Sequence, residues 1–230
     1  HVVSSGRPAN VWASQALFVD APARDRLHVA ARCLSAPLDA VVRSVPPDGR
    51  ILDFGCGHGL ISLALGLRAP TCDVEGVDVD EHKMWCAQQA VAQGGLGERV
   101  RFRTITPKWK PRTAAYDSVV VCDVLYLLGH QTARLMVRDL GAAVRPGGRL
   151  IIKEMSEVPR WKNRLDRSQE HLAVRTLGYT VGDRVEPFGV ERIAHQLRSD
   201  GWSAGIQRLD RHYPHPHALV VGTAPDKLVH

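Results

Sequence analysis

A short glycine-rich segment, Asp53-Phe-Gly-Cys-Gly-His-Gly59, carries the clearest chemistry in the sequence. It follows an apolar run that begins at Ile51 and leads directly into a stretch with helical spacing. Glycines let the backbone turn tightly and let a ligand approach it closely, because they carry no side chain. An acidic residue beside such a turn can accept hydrogen bonds from an ammonium group. The segment therefore predicts a cofactor site built from the backbone after a strand.

The spacing of the glycines separates two kinds of cofactor site. A dinucleotide-binding turn has the pattern G-x-G-x-x-G and holds pyrophosphate at the N-terminus of the next helix. Counting from Gly55 and Gly57, its third glycine would be residue 60, which is Leu60. The third glycine is Gly59 instead, so the dinucleotide pattern does not fit. Asp53 and the Gly55 carbonyl are predicted to meet the ammonium group of a different cofactor.

A second acidic position lies at the end of the next predicted strand. The segment Val74-Glu-Gly-Val-Asp78-Val-Asp80 places Asp78 at the tip of a strand that neighbours the glycine turn. A carboxylate at this place can accept hydrogen bonds from both hydroxyls of a ribose. Asp80 is predicted to cap the helix that follows, the common structural role of an aspartate there.

These residues need a framework that brings the ends of strands together. Short apolar runs alternate with amphipathic stretches, a pattern typical of parallel strands joined by helices. The predicted strands are 50–54, 73–78, 100–106, 118–123, 149–154, 202–209 and 218–223. The predicted helices are 60–68, 81–93 closed by Gly94, 132–144 and 190–199, after two N-terminal helices that meet near Pro37. The short connection between the last two strands predicts an antiparallel hairpin.

Four motifs in order resemble those of class I S-adenosylmethionine-dependent methyltransferases, with most similarity to bacterial small-molecule enzymes. They are the glycine turn, Gly76-Val-Asp78, Tyr116-Asp-Ser-Val-Val-Val-Cys-Asp123 and Arg145-Pro-Gly-Gly-Arg-Leu-Ile-Ile152. The resemblance implies an α/β, Rossmann-like three-layer sandwich with a seven-stranded, mostly parallel sheet. The implied strand order is 3-2-1-4-5-7-6, with strand 7 antiparallel, N-terminal helices and a helical insertion before strand 6.

The implied cofactor is S-adenosylmethionine, with S-adenosylhomocysteine as the product. The predicted cofactor contacts are Asp53, Gly55, Cys56, Gly57, Gly59, Asp78, Val79, Thr106, Cys122 and Asp123. One position departs from the family pattern, in which the third strand commonly ends in an acidic residue that meets the adenine amino group. Here that strand ends in Thr106, so Thr106 or the Ile105 backbone is predicted to contact adenine.

Methyl transfer from a sulfonium is an in-line displacement, so the protein mainly aligns the acceptor and excludes water. A base is needed only when the acceptor must lose a proton. The predicted catalytic candidates lie after strands four and five, in the insertion and in the last hairpin: Asp123, Tyr126, Glu154, His171, His215 and His217. No metal site is predicted, because no cysteine or carboxylate cluster accompanies the hairpin histidines.

The chain is predicted to be one domain in which residues 1–49 form a helical cap that contributes to the acceptor pocket. Residues 50–230 are predicted to be the cofactor-binding core, with residues 157–188 as an insertion on the acceptor side. That insertion supplies apolar and aromatic side chains suited to a small organic acceptor: Trp161, Leu165, Leu172, Tyr179 and Phe188. Methylation at oxygen is the leading prediction, and basic residues near Lys108 also allow an anionic acceptor or one tethered to an acidic carrier protein.

Two other functions remain open. The basic stretch from Arg99 to Arg112 suggests a nucleic-acid methyltransferase. Against it, arginines on an edge strand also guard against unwanted strand pairing, and Cys122-Asp-Val-Leu-Tyr126 differs from the motif that grips base amino groups. The second alternative is a relative that binds the cofactor without transferring methyl groups, such as a cyclase or a scaffold protein.

Bulk properties fit an ordinary globular protein of 230 residues with a formal net charge of +6. The five cysteines are odd in number and widely spaced, which favours a reducing cytoplasm over a disulfide framework. No apolar run approaches the roughly 18 residues that span a bilayer, so no membrane association is predicted. The sequence leaves the oligomeric state open and is compatible with a homodimer.

Overall fold

The computed structural model describes residues 11–155, 189–209 and 216–226. Its helices are α1 (Val11–Gln15), α2 (Ala23–Ser35), α3 (Leu38–Ser44), α4 (Leu60–Arg68), α5 (Glu81–Gly94), α6 (His130–Ala143) and α7 (Val190–Ser199), with a 3₁₀ turn at Leu125–Leu127. Its strands are β1 (Asp48–Phe54), β2 (Thr71–Asp78), β3 (Val100–Thr104), β4 (Tyr116–Cys122), β5 (Val144–Met155), β6 (Ser203–Arg208) and β7 (His217–Thr223). Within these residues, helices and strands alternate through most of the chain, as the sequence predicts.

The strands form one sheet with the order β3-β2-β1-β4-β5-β7-β6. Strand β2 is parallel to β1 and to β3, and β4 is parallel to β5. Strand β7 runs antiparallel to both of its neighbours, β5 and β6. The predicted sheet order and the closing antiparallel hairpin are therefore confirmed.

The chain divides into two compact units, one ending at Thr104 and the other beginning at Ile105. In the first unit, the β1 side chains of Ile51 and Leu52 are fully buried, and α4 is apolar and buried along most of its length. In the second unit, residues 119–121 of β4 and 150–152 of β5 are fully buried. Continuous apolar runs of this kind are typical of parallel strands, which are buried on both faces.

Most predicted elements are present, and their ends differ by a few residues. Strand β3 ends at Thr104 and not at Thr106, before a segment in which Pro107 has no N–H to donate to a neighbouring strand. Helix α5 continues through Gly94, and the left-handed residue that ends it is Gly95, with φ of 61°. The two N-terminal helices on either side of Pro37 are confirmed as α2 and α3.

The whole of the predicted insertion, residues 157–188, lies outside the described residues. The division into a cap at 1–49 and a core at 50–230 stays a prediction. Among the described residues, no helix has the length and apolar character needed to cross a bilayer.

Candidate functional site

The glycine turn joins β1 to α4 through three residues in the left-handed region. Gly55, Gly57 and Gly59 have φ angles of 68°, 56° and 79°. The N–H groups of Gly55 and Cys56 both donate to the carbonyl of Val77, at 2.9 and 3.1 Å. These bonds tie the turn to the end of β2. Side chains other than glycine are disfavoured at such angles, so the turn depends on its glycines.

Asp78 connects the glycine turn to the loop after β2. One of its carboxylate oxygens accepts from the Gly57 N–H at 2.8 Å, and the other accepts from the Asp80 N–H at 3.0 Å. Each oxygen keeps a second lone pair, so the carboxylate can still accept bonds from a diol. Asp80 in turn accepts from the Lys83 N–H at 3.0 Å, which confirms its predicted role as the cap of α5.

The glycines of this region serve different purposes. A Cβ added to Gly59 would lie 2.2 Å from the Phe102 ring, and a Cβ on Gly76 would lie 2.4 Å from the same ring. These two glycines make room for packing. A Cβ on Gly57 would meet nothing within 4 Å. Gly57 therefore faces open space, as expected where a ligand approaches the backbone.

Asp53 lies beneath the turn and is almost fully buried, with 1% of its surface exposed. The Ser62 hydroxyl donates to its carboxylate at 2.6 Å. Burial raises the pKa of Asp53 to about 6; the Ser62 hydrogen bonds oppose this rise and the charge of Asp78 adds to it. A buried carboxylate with a raised pKa gains stability from a cationic partner. Ser62 was not among the predicted site residues, although its hydroxyl stands alone in an otherwise apolar stretch of α4.

His58, within the glycine turn, contacts the first of the long N-terminal helices. Its Nε2 lies 3.0 Å from Oδ1 of Asp25 in α2, and both residues are buried. Burial lowers the pKa of His58 more than Asp25 raises it, so the ring is neutral at pH 7 and donates from Nε2. Burial tends to raise the pKa of Asp25, but hydrogen bonds from His58 and His82 outweigh it and the pKa falls to about 2. No sequence motif indicated this contact.

In the second unit, the ends of β4 and β5 are joined by an ion pair. The Lys153 ammonium donates to both carboxylate oxygens of Asp123 at 2.7 Å, and Lys153 is fully buried. Asp123 has a left-handed φ of 57°, and its N–H donates to the Lys153 carbonyl at 2.9 Å. A buried ion pair costs desolvation energy, which close geometry of this kind offsets.

Glu154 holds the segment that follows β4. Its Oε1 accepts from the N–H groups of Val124 and Leu125 at 3.0 and 2.8 Å, and its Oε2 accepts from Tyr126 at 3.4 Å. Burial, with the nearby Asp123 carboxylate, raises the pKa of Glu154 to about 8. The carboxyl group thus receives the unpaired N–H groups at the start of the 3₁₀ turn.

The remaining predicted residues lie in several places. Thr106 is exposed just after β3, and its carbonyl accepts from the Trp109 N–H at 3.0 Å. Cys122 is buried at the end of β4, and its thiol donates to Asp123 Oδ2 at 3.8 Å. Val79 is half-buried between Asp78 and Asp80. His217 is buried as the first residue of β7, opposite Met155. His171 and His215 lie outside the described residues.

Each unit thus groups part of the predicted site. The first unit places Asp53, the glycine turn, Asp78 and Val79 around the ends of β1 and β2. The second unit places Cys122, Asp123, Tyr126 and Glu154 around the ends of β4 and β5. In both units, the predicted groups gather at the carboxyl ends of parallel strands, where ligands of open α/β sheets bind.

The segment from β1 to the turn within β5, residues 51–148, matches the family model described as "Methyltransferase domain". Residues 51–148 are therefore a methyltransferase domain by sequence. The methyltransferase domain match includes the glycine turn, Asp78 and Asp123.

Two curated relatives resemble the methyltransferase domain. A "Ubiquinone biosynthesis O-methyltransferase" of Pseudomonas savastanoi pv. phaseolicola is 27% identical over 111 residues, which are 48% of this chain and 46% of that protein. A "Ribosomal protein L11 methyltransferase" of Alkalilimnicola ehrlichii is 32% identical over 108 residues, 46% of this chain and 33% of that protein. The chain thus matches less than half the length of these curated relatives, and the names of the two differ in the class of substrate.

A solved structure supports the methyltransferase fold over a longer stretch. "The Structure of an O-methyltransferase family protein from Burkholderia thailandensis" superposes with a TM-score of 0.64 at 21% identity. The superposition covers 91% of the present chain and 62% of the Burkholderia protein. At this identity the likeness concerns the fold, which agrees with the observed sheet order.

Proposed function

We propose that this protein transfers the methyl group of S-adenosylmethionine to a small organic acceptor, and that the receiving atom is oxygen. The observation that carries the proposal is the open space at Gly57, whose N–H donates to the Asp78 carboxylate. The buried carboxyl of Asp53, at the end of the strand that leads into this turn, supports it. The name of the Pseudomonas relative favours a small-molecule acceptor and oxygen as the receiving atom. The name of the Alkalilimnicola relative, by contrast, points to a protein acceptor.

The residues of the first unit suit this cofactor. Asp53 is a buried carboxyl without a described cationic partner, and an ammonium group would supply one. The second lone pairs of Asp78 would accept bonds from the ribose hydroxyls. The other first-unit candidates, for close approach of the cofactor to the backbone, stay Gly55, Cys56, Gly57, Gly59 and Val79. Thr106, which belongs to the second unit, stays our candidate for contact with adenine.

The second unit suits a positioning role more than proton transfer. Asp123 is bound on both oxygens by Lys153, and Glu154 receives three backbone N–H groups. These contacts would fix the segment that carries Tyr126. A proton-bearing acceptor would then use His171, His215 or His217 as its base, or would ionise in water before it binds.

The first test compares two glycines that share a left-handed φ angle. Gly57 and Gly95 have φ angles of 56° and 61°, and an added Cβ meets nothing within 4 Å at either position. Replacing either by alanine costs about 1 kcal/mol of backbone strain. We expect Gly57→Ala to weaken S-adenosylhomocysteine binding by at least about tenfold, a loss of roughly 1.4 kcal/mol, while Gly95→Ala leaves it unchanged.

Calorimetric titration of both variants measures this difference. Equal binding by Gly57→Ala and Gly95→Ala would remove the turn from the cofactor site. A thermal shift with S-adenosylhomocysteine and NAD checks the cofactor, and stabilisation by NAD alone would contradict the proposal. Labelled methyl transfer to phenols, carboxylic acids, amines, structured RNA and ribosomal proteins then identifies the acceptor class. Binding without transfer to any of them would favour a cyclase or a scaffold.

The contacts of the basic stretch disfavour nucleic acid as the acceptor. Arg101 and Arg103 pair with Asp73 and Glu75 on β2, and Arg99 donates to the carbonyls of Gly66 and Ala69. Lys110 pairs with Asp139 at 2.9 Å. Four of the basic residues that suggested phosphate binding thus have partners within the protein. The contacts of the three arginines stabilise the edge strand β3 and its neighbours in the first unit, in keeping with the structural explanation of these charges.

A further inference from the structure

Three residues with metal-binding side chains converge beside the N-terminal helices of the first unit. Asp25 lies in the first turn of α2, and His82 and Cys86 lie one turn apart on α5. Asp25 and Cys86 are buried, whereas 40% of the His82 side chain is exposed. The i, i+4 spacing places the histidine and the cysteine on one face of their helix. None of these residues belongs to the proposed cofactor site.

The three ligand atoms lie almost as close together as the ligands of a tetrahedral metal site. His82 Nε2 lies 3.1 Å from Asp25 Oδ2 and 3.7 Å from Cys86 Sγ. All three atoms lie within 4.8 Å of one another. Zinc bonds of about 2.0 Å to nitrogen and oxygen and 2.3 Å to sulfur separate tetrahedral ligands by roughly 3.3–3.6 Å. Small side-chain movements would therefore let the three atoms share one ion.

The surroundings supply a second layer of contacts and a path for the ion. The other Asp25 oxygen accepts from His58 at 3.0 Å, and such bonds orient the carboxylates that bind metals. The Arg24 guanidinium lies 3.1 Å from His82 Nε2, and 76% of its side chain is exposed. Arg24 can therefore swing into solvent and leave the place beside His82 to an ion.

We propose that Asp25, His82 and Cys86 bind a divalent zinc ion, with water as the fourth ligand. On binding, the Cys86 thiol releases its proton to solvent, so a carboxylate and a thiolate neutralise the two positive charges. The ion joins α2 to α5. Because Asp25 also contacts His58, the ion stabilises the N-terminal helices against the glycine turn. The proposal does not depend on methyl transfer.

Cobalt titration of the full, metal-free chain tests the site. Cobalt(II) bound in a tetrahedral site with a thiolate gives ligand-to-metal charge-transfer absorption and intense visible bands, and zinc displaces them. We expect these bands in the native protein and their loss in Cys86→Ser. The matched control is Cys72→Ser, a buried free cysteine on β2, which should keep them. His82→Gln, at a half-exposed position, tests the site without a core change.

The contact between His58 and the ligand Asp25 gives a second test, in which cobalt affinity is measured. We expect His58→Asn to weaken cobalt affinity by about 10-fold, because the second contact of Asp25 is lost, and His82→Gln to weaken it more. If Asp25, His82 and Cys86 only form hydrogen bonds with one another and bind no metal, neither the native protein nor any variant will show the charge-transfer band. Absence of the band in the native protein, its persistence in Cys86→Ser, unchanged cobalt affinity in His82→Gln, or equal loss in Cys72→Ser would overturn the proposal.

Discussion

At the scale of single residues, Asp53 links cofactor binding to pH. Its pKa of about 6, raised by burial, means that much of the protein carries a neutral Asp53 below pH 6. A group whose pKa is raised on folding contributes stability below its ordinary pKa of 3.8 and loses it as pH rises through the folded value. The unliganded protein should therefore lose part of its stability between about pH 4 and pH 6. An ammonium group would offset that loss.

We expect the affinity for S-adenosylhomocysteine to rise with pH between 5 and 7, by up to about tenfold per unit below the pKa. Asp53→Asn should flatten this dependence, weaken binding and stabilise the unliganded protein at pH 7, because the buried charge is gone. Calorimetry across pH measures the affinity, and thermal melting measures the stability. An unchanged pH profile in Asp53→Asn would show that the carboxyl does not meet the ammonium group.

At the scale of elements, the pair of Lys153 and Asp123 holds the ends of β4 and β5 in register. Removing one partner leaves the other charge buried without compensation. We expect Lys153→Met to lower the free energy of unfolding by about 3–5 kcal/mol. Combining it with Asp123→Asn should recover part of the loss, because asparagine tolerates the left-handed backbone at that position.

Denaturant unfolding of the two single variants and the double variant gives the coupling energy. The exposed pair of Arg145 and Asp117 at 2.8 Å is a suitable control, because surface pairs contribute about 1 kcal/mol or less. If Lys153→Met costs no more than Arg145→Met, the buried pair does not stabilise the strand ends.

At the scale of the whole molecule, the net charge of +6 favours anionic acceptors. Lys108 is exposed, and Lys110 is exposed although it pairs with Asp139. Lys162 and Arg164 lie outside the described residues. If the acceptor is anionic or tethered to an acidic carrier, reversing these four charges should raise the acceptor KM at low salt. The difference from the native protein should shrink as ionic strength rises, since salt screens exposed charges.

Steady-state kinetics at several salt concentrations measures the effect. Charge reversal at Arg198, an exposed residue of α7, provides a control on the second unit. A KM that is unchanged at every ionic strength would exclude an anionic acceptor attracted by these four residues.

The sequence determined the elements that depend on local pattern. Glycine permits the left-handed φ angles at 55, 57 and 59 without steric strain, and Asp80 caps α5 because its side chain reaches a nearby N–H. The order of the four motifs carried the resemblance to a known family, and that resemblance implied the sheet order that the structure confirms. The predicted ends of β3 and α5 differ by one or two residues from the observed ends at Thr104 and Gly95. The ends of strands and helices depend on contacts with neighbouring elements, which a local sequence pattern does not contain.

Tertiary structure decided which distant residues meet. Asp25 and His82 are 57 positions apart, and Asp123 and Lys153 are 30 apart. Glu154 was a candidate base by its place after a strand, but its buried carboxyl receives backbone N–H groups. Hydrophobic period predicts which face of an element is buried, and it carries no information on which polar side chain lies opposite. Helix packing and strand register set those contacts, and with them the roles of His58, Cys86 and Lys153.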